Sequence, residues 1–305
     1  MEKSTSILNL EEYQIKNHSS WNMLAKRIGV SSATLHMWRE GKYSGDNARV
    51  DRLVAQFLEG QAMRQQAGGA LKFVEIKNAK SVFENCTEAL NFGSFNLITG
   101  KAGLGKTVGL LEFAIRNDNI HYIRVNDTMN FIAVLKEIAM SVGVQASGNA
   151  ADIFKRLTQK IKGSSRLFQL DEAHKLNFRS LEIIRDIFDT TESIGSRPGF
   201  VLAGDTTLYD RVTGRYNLRT DRNFDQIYSR IETHIELKQM DLEDCALMLR
   251  SVFDDVDNNK AQYVLNMSSG NCRNVSNLLK NMQRKGRELT RQNIEKASSA
   301  SILAA

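Results

Sequence analysis

The densest chemistry in the chain lies in eight residues, Gly100-Lys101-Ala102-Gly103-Leu104-Gly105-Lys106-Thr107. They match G-x-x-x-x-G-K-[S/T], the pattern of a loop that cradles phosphates. Glycines let the backbone curl until its N–H groups face phosphate oxygens, and a helix beginning there adds a dipole of the right sign. Lys106 is placed to reach the β- and γ-phosphates of ATP, and the Thr107 hydroxyl to hold Mg2+. The apolar run Phe95–Thr99 reads as a strand before the loop, and a helical pattern follows it, which is the context the motif requires.

Such a loop needs a magnesium-holding acid on a neighbouring strand. Arg166-Leu167-Phe168-Gln169-Leu170-Asp171-Glu172 supplies one. Asp171, at the strand's end, is expected to bind the hydrated metal, and Glu172 to polarise the attacking water. An Asp-Glu pair read alone is usually a solvated loop; the phosphate loop upstream makes the catalytic reading the stronger. Asp171-Glu172-Ala173-His174 also spells a helicase box. Such helicases need a second motor lobe, and the residues that follow offer no candidate for one.

Several elements must position these groups. Between about Leu71 and Leu237, short apolar runs alternate with amphipathic stretches, as in a parallel sheet covered by helices. Strands are expected at Phe95–Thr99, His121–Val125, Leu167–Leu170, Phe200–Ala203 and Thr233–Leu237, with helices including Met129–Val142 and Leu181–Phe188. The single proline, Pro198, falls in a loop before a strand. From Asp241 onward the pattern is helical, over Leu242–Val252, Ala261–Met267, Val275–Met282 and Asn293–Ala297. Ahead of the core, Trp21–Leu58 reads as short helices, and Gln61–Gly69 as a linker. The expected fold class is therefore α/β, with a helical bundle behind it and a small all-α domain in front. The boundaries are drawn at residues 1–66, 67–238 and 239–305.

Hydrophobic residues at 42% and charged residues at 25% fit a globular protein and exclude a disordered tail. No apolar run is long enough to span a membrane, and Met1–Leu10 lacks the apolar core of a signal peptide. Cys86, Cys245 and Cys272 are scattered without metal-ligand spacing and read as reduced thiols, so a cytoplasmic location is expected. The net charge of +6 is uneven: residues 1–66 carry +2, residues 67–259 carry −2 and residues 260–305 carry +6. A basic end suits a polyanion as well as it suits a solvated helix face.

The phosphate loop, the Asp171-Glu172 strand, a later strand ending in a polar residue and the helical bundle together resemble the AAA+ ATPases. In that family a polar residue at the tip of the fourth strand helps place the water. Relatives often carry Asn there; this chain has Asp205 after Phe200-Val201-Leu202-Ala203-Gly204, with Thr206 as the alternative. The stretch Ile227-Tyr228-Ser229-Arg230-Ile231 is similar to the segment whose arginine reaches a neighbouring subunit's ATP, which makes Arg230 the arginine-finger candidate. Gly270-Asn271-Cys272-Arg273 resembles the lid segment whose arginine senses the γ-phosphate. For each arginine the bland alternative is a surface ion pair.

Residues 21–40 resemble a phage-repressor helix-turn-helix. Leu24, Ala25 and Ile28 face inward on a first helix, Gly29 makes the turn, and Val30, Leu35 and Trp38 anchor a second helix capped by Ser31 or Ser32. Its outward residues are Ser32, Ala33, His36, Met37 and Arg39, with Lys42 placed for phosphate. The alternative is a helical bundle that binds protein. A second basic run, Arg211, Arg215, Arg219 and Arg222, lies on a long loop that could face DNA or only solvent. Arg284, Lys285, Arg287 and Arg291 are the DNA-contact candidates at the basic end.

This front end, with the turn Gly41-Lys42-Tyr43-Ser44-Gly45-Asp46-Asn47, the run Phe73-Val74-Glu75 and the ATPase motifs, resembles the phage Mu B-type transposition proteins over nearly the whole chain. The resemblance implies ATP-dependent binding to double-stranded DNA, a homo-oligomeric ring or helical filament, delivery of target DNA to a transposase and its stimulation, all in a bacterial host cytoplasm. An ATP-switched transcription regulator and a helicase-loader-like assembly ATPase are the other readings.

Overall fold

The computed structural model describes residues 5–17, 19–66, 71–191, 197–213 and 225–302. Four helices come first: α1 (Thr5–Lys16), α2 (Trp21–Ile28), α3 (Ser32–Arg39) and α4 (Asn47–Gln66). Leu10, Leu24, Ala25, Leu35, Trp38 and Val54 close a small core among them. Ser20 and Ser31 cap α2 and α3 by accepting the N–H groups of Met23 and Thr34. Gly29 ends α2 with φ 85°, a left-handed turn that a side chain would strain. One expectation changes here, and one element had no counterpart in the sequence reading. The segment Gln61–Gln66, expected as linker, continues α4, because glutamine, alanine, methionine and arginine are good helix formers and the single Gly60 is tolerated. The polar start of the chain holds a helix, α1, whose Ile7 and Leu10 supply the missing face of the small core.

The sheet that follows is wholly parallel. Helix α5 (Lys77–Phe92) leads into β1 (Phe95–Thr99), α6 (Lys106–Arg116), β2 (Ile120–Arg124), α7 (Phe131–Ser141) and α8 (Ala150–Ile161). Then come β3 (Leu167–Asp171), a short 3-10 turn (Ala173–Lys175), α9 (Phe178–Thr191), β4 (Gly199–Ala203), α10 (Thr206–Val212), α11 (Asp225–Tyr228) and β5 (Ile231–Glu236). The strand order is β2-β3-β4-β1-β5. Strands β1, β3 and β4 are buried throughout, as continuous apolar runs predict, whereas edge strand β5 alternates between half-buried and exposed. Successive residues serve opposite faces: Phe95, Leu97, Phe168, Leu170, Phe200 and Leu202 meet α7–α9, while Ile98, Leu167, Val201 and Ala203 meet α5 and α6. At one register level Phe95, Phe200 and Phe168 stack across β1, β4 and β3, and His121 extends the row on β2.

Four helices form the lid: α12 (Leu242–Arg250), α13 (Asn258–Ser268), α14 (Cys272–Arg284) and α15 (Arg291–Ile302). Their core takes in Ile76 and Ala79 at the start of α5, so the lid packs on the chain just before the sheet. Ile76, at the N-terminus of α5, offers no side-chain cap; Asp244 of α12 supplies it by accepting the Lys77 N–H at 3.0 Å. Among the described residues no helix is long and apolar enough to cross a membrane.

Candidate functional site

The strand order brings the site together. β4 lies between β1 and β3, so the tips of all three open on one cleft, with the phosphate loop on one flank, Glu172 on the other with Asp171 buried behind it, and Asp205 between. Ligands in open parallel sheets bind at such carboxyl ends. The cleft is about 900 Å3, lined also by Arg273 of the lid, by the apolar Phe73, Val74, Ile76, Ala79 and Met248, and by Tyr13 and Arg27 of the front helices.

Gly100–Gly105 curl from β1 into α6. Lys106 Nζ lies within the loop and donates to the carbonyls of Gly100 and, at 3.0 Å, Lys101. Burial pushes its pKa below the ordinary lysine value, with Asp171, Glu172 and Asp205 opposing that shift. Asn78 of α5 ties the loop down by donating to the carbonyls of Leu104 at 3.1 Å and Lys238 at 2.7 Å. From the lid, the Arg273 N–H donates to the Gly103 carbonyl at 3.1 Å, and Asn271 Nδ2 to the Ala102 carbonyl at 2.9 Å. Gly103 has φ +83°, and a Cβ on it would fall 2.3 Å from Asn271 Oδ1. Gly103→Ala therefore combines about 1–2 kcal/mol of left-handed strain with displacement of the lid contact. The expected result is a roughly tenfold weaker nucleotide affinity, a factor worth about 1.4 kcal/mol. Titration with a fluorescent ATP analogue checks it, and an unchanged affinity would mean that the lid contact does not support the loop.

Asp171 is 1% exposed and fully engaged. Its Oδ2 accepts the Thr107 hydroxyl at 2.7 Å and the Tyr122 hydroxyl at 2.8 Å, and its Oδ1 accepts the Glu172 N–H at 3.0 Å. A hydroxyl and a carboxylate touching beside the loop are hard oxygen donors of the kind that hold Mg2+ together with phosphates. No cluster of three or more His, Cys, Asp or Glu that could cage a metal occurs among the described residues. Tyr122 was not singled out in the sequence. Burial, and then the Asp171 charge and hydrogen bond, push its pKa up, so it stays a donor.

Glu172 stands in the left-handed region, φ 59° and ψ 31°. A non-glycine residue in that conformation is strained and needs its surroundings to hold it. The strain turns its carboxylate off the strand line, to 3.6 Å from His174 Nε2 and 3.7 Å from Lys175 Nζ. Asp205 caps α10 by accepting the N–H of Thr207 at 3.0 Å, and it borders the cleft, whereas Thr206 is exposed on the first turn of that helix. Arg211 does not extend toward a groove: its guanidinium donates to the carbonyls of His174 and, at 2.7 Å, Leu176. Arg215, Arg219 and Arg222 lie outside the described residues. Arg230 sits away from this cleft. Its Nε and Nη2 each donate to a carboxylate oxygen of Asp189 at 3.1 Å.

The other basic candidates are dispersed. Ser32, His36, Met37 and Lys42 are exposed on or after α3. Arg39 is half-buried and stacks on the Trp21 ring at 4.2 Å. Glu40 pairs with both His36, at 3.1 Å, and Lys42, at 2.9 Å, which places a carboxylate on the same surface. Arg284 and Lys285 are exposed at the end of α14. Arg287 is half-buried, with Nη1 shut off from solvent, and Arg291 lies over the Tyr263 ring at 4.8 Å.

Comparison with known proteins agrees with this geometry. An AAA domain pattern matches residues 93–212, from the start of β1 to the end of α10. The chain is 25% identical over 238 residues to the Mu-like prophage FluMu DNA transposition protein B of Haemophilus influenzae, covering 77% of this chain and 80% of that protein. It is 27% identical over 198 residues to the ATP-dependent target DNA activator B of Escherichia phage Mu, and here it spans 62% of the relative's length. Among solved structures, the ORC2 protein of Aeropyrum pernix, determined as ADPNP–ADP complexes, superposes with a TM-score of 0.58 at 17% identity, over 79% of this chain and 72% of that one. Cdc6p of Pyrobaculum aerophilum gives 0.56 at 16% identity, over 77% and 70%. These two share the fold. The chain is an ATPase with the P-loop AAA+ fold, and over most of its length it is similar to the Mu B-type transposition proteins.

Proposed function

We propose that this chain is an ATP- and Mg2+-dependent DNA-binding ATPase that oligomerises on double-stranded DNA, captures target DNA for a transposase and stimulates it. The observation that carries this reading is the extent of the match to proteins named for DNA transposition and target DNA activation: it runs over 198–238 residues, well beyond the 93–212 segment common to AAA domains. Residues 1–66 then serve as the DNA-reading front end, 67–238 as the engine and 239–305 as the lid. In the engine, the backbone of Gly100–Gly105 with Lys106 grips the phosphates, and Thr107 and Asp171 hold Mg2+. Glu172 polarises the water, Asp205 helps place it, and Arg273 reports on the γ-phosphate from the lid. Bound Mg2+ would neutralise charge on the β- and γ-phosphate oxygens. The apolar part of the cleft's lining suits a purine base.

Each subunit alone offers few phosphate contacts, because the basic candidates are dispersed and Glu40 sets a carboxylate beside His36 and Lys42. Assembly multiplies those contacts through effective concentration, so ATP controls DNA affinity by controlling polymerisation. DNA affinity measured against protein concentration, with ATP or ADP at two salt concentrations, should therefore be cooperative, ATP-dependent and steeply salt-sensitive. Replacing Arg284 and Lys285 by Ala is expected to flatten the log–log salt slope by about 2 per subunit, near 0.9 for each lost phosphate contact. ATP-independent, non-cooperative binding to one defined sequence would sink this reading in favour of a regulator.

A further inference from the structure

We infer that His174 is a positioning residue for ATP hydrolysis, linking the tip of β4 to the carboxylate of Glu172. The inference rests on Glu172 as the base and adds what aims it. The Asp205 N–H points at His174 Nδ1 at 3.4 Å, so Nδ1 is the accepting nitrogen. In a neutral ring the proton then resides on Nε2. Nε2 faces two carboxylates, at 3.6 Å from Glu172 Oε2 and 3.9 Å from Asp205 Oδ2. Neither separation is a hydrogen bond as it stands, yet a small torsion of Glu172 closes the first, as such contacts tighten when a substrate is in place.

The turn that carries the ring is fixed from behind. Arg211 of α10 grips the carbonyls of His174 and Leu176, which locks the 3-10 turn carrying the histidine to the helix that Asp205 caps. Gly204, before Asp205, lets β4 approach closely: a Cβ there would meet the His174 N at 3.1 Å. Thus the imidazole reads the position of the β4 tip with one nitrogen and presents a proton to Glu172 with the other. Lys175 Nζ also lies 3.7 Å from Glu172 Oε2, but an ammonium is a point charge, and this one is shared with Asp127 at 3.7 Å. It attracts the carboxylate without setting its direction.

The two nitrogens can be tested separately. Gln carries an amide near the Nε2 position and Asn near the Nδ1 position, whereas Phe keeps the ring volume and neither function. For His174→Phe the expected result is a kcat lower by about 10–100-fold with an unchanged ATP Kd, the usual size of a lost orienting partner. His174→Gln should recover most of that loss and His174→Asn much less. In a Glu172→Gln background, His174→Phe should change the residual rate by less than about twofold, since the group it orients is gone. If Glu172→Gln abolishes hydrolysis while His174→Phe turns over normally, the positioning role is overturned and the base survives. Equal losses in kcat for Phe, Gln and Asn, or a weakened ATP Kd with kcat intact, would also overturn it, as marks of a packing role. If Glu172→Gln itself hydrolyses normally, the base reading fails, and this inference with it.

Discussion

Glu172→Gln is expected to bind ATP as the unaltered chain does and to hydrolyse it on the order of 10²–10⁴ times more slowly, the range associated with a general base. The amide keeps the side chain's volume in a strained left-handed position, so the surroundings need not rearrange. Lys106→Ala is expected to fail at the earlier step. Its ammonium lies inside the loop, next to the Gly100 and Lys101 carbonyls, and the phosphates of a bound nucleotide would approach the same place. Charge-assisted hydrogen bonds contribute about 1.5–3 kcal/mol each, so ATP affinity should fall roughly 10²-fold. The two variants thus separate gripping from cutting, measured by nucleotide titration and phosphate release. Equal turnover in Glu172→Gln and the unaltered chain would remove Glu172 from the chemistry. Loss of ATP binding in Glu172→Gln would make its carboxylate a phosphate-site support instead.

What could be read in the sequence was what is local along the chain. The phosphate loop, the Asp171-Glu172 strand end and all five strands of the core follow from residues within a few positions of one another. The helix caps are local in the same sense, Ser31 included. The partners of the site were not legible, because the sheet order and the lid bring them from far away. Tyr122 reaches Asp171 from the edge strand β2, Asn271 reaches the loop from 169 residues further on, and Asn78 does so from the helix ahead of the sheet. Nothing in the periodicity around Tyr122 distinguishes a tyrosine that packs from one that donates to a buried carboxylate. His174 escaped notice for a different reason. Its place in an Asp-Glu-Ala-His string reads as a borrowed helicase box, whereas its geometry toward Glu172 and Asp205 gives it a local reason to be there. The supposed linker at Gln61–Gln66 was misread through composition, since small and polar residues without proline sustain a helix once α4 has begun.

Arg230→Ala should bind ATP normally and hydrolyse it about 10³-fold more slowly or worse, as expected of an arginine that neutralises transition-state charge on a neighbouring subunit's nucleotide. Within its own subunit Arg230 is occupied by a two-pronged pair with Asp189, and it also donates to Ser229 Oγ at 2.9 Å. Magnitudes decide whether that pair forbids the role. Both side chains are about one-third exposed, 37% and 31%, and such surface pairs are worth about 0–1 kcal/mol after solvent screening. A rate effect of 10³ corresponds to about 4 kcal/mol of transition-state stabilisation, so a pair of this strength with Asp189 is too weak to forbid the role. Mixing Arg230→Ala with Lys106→Ala then gives a direct readout. The first binds ATP without a finger, the second offers a finger without ATP, and a mixed assembly on DNA should regain turnover that neither has alone. Asp189→Asn serves as the control: it weakens the pair within the subunit and should leave turnover within a fewfold of normal. Mixtures that never exceed the sum of their parts, with Asp189→Asn as damaging as Arg230→Ala, would instead make the arginine and its carboxylate a structural pair tying β5 to α9.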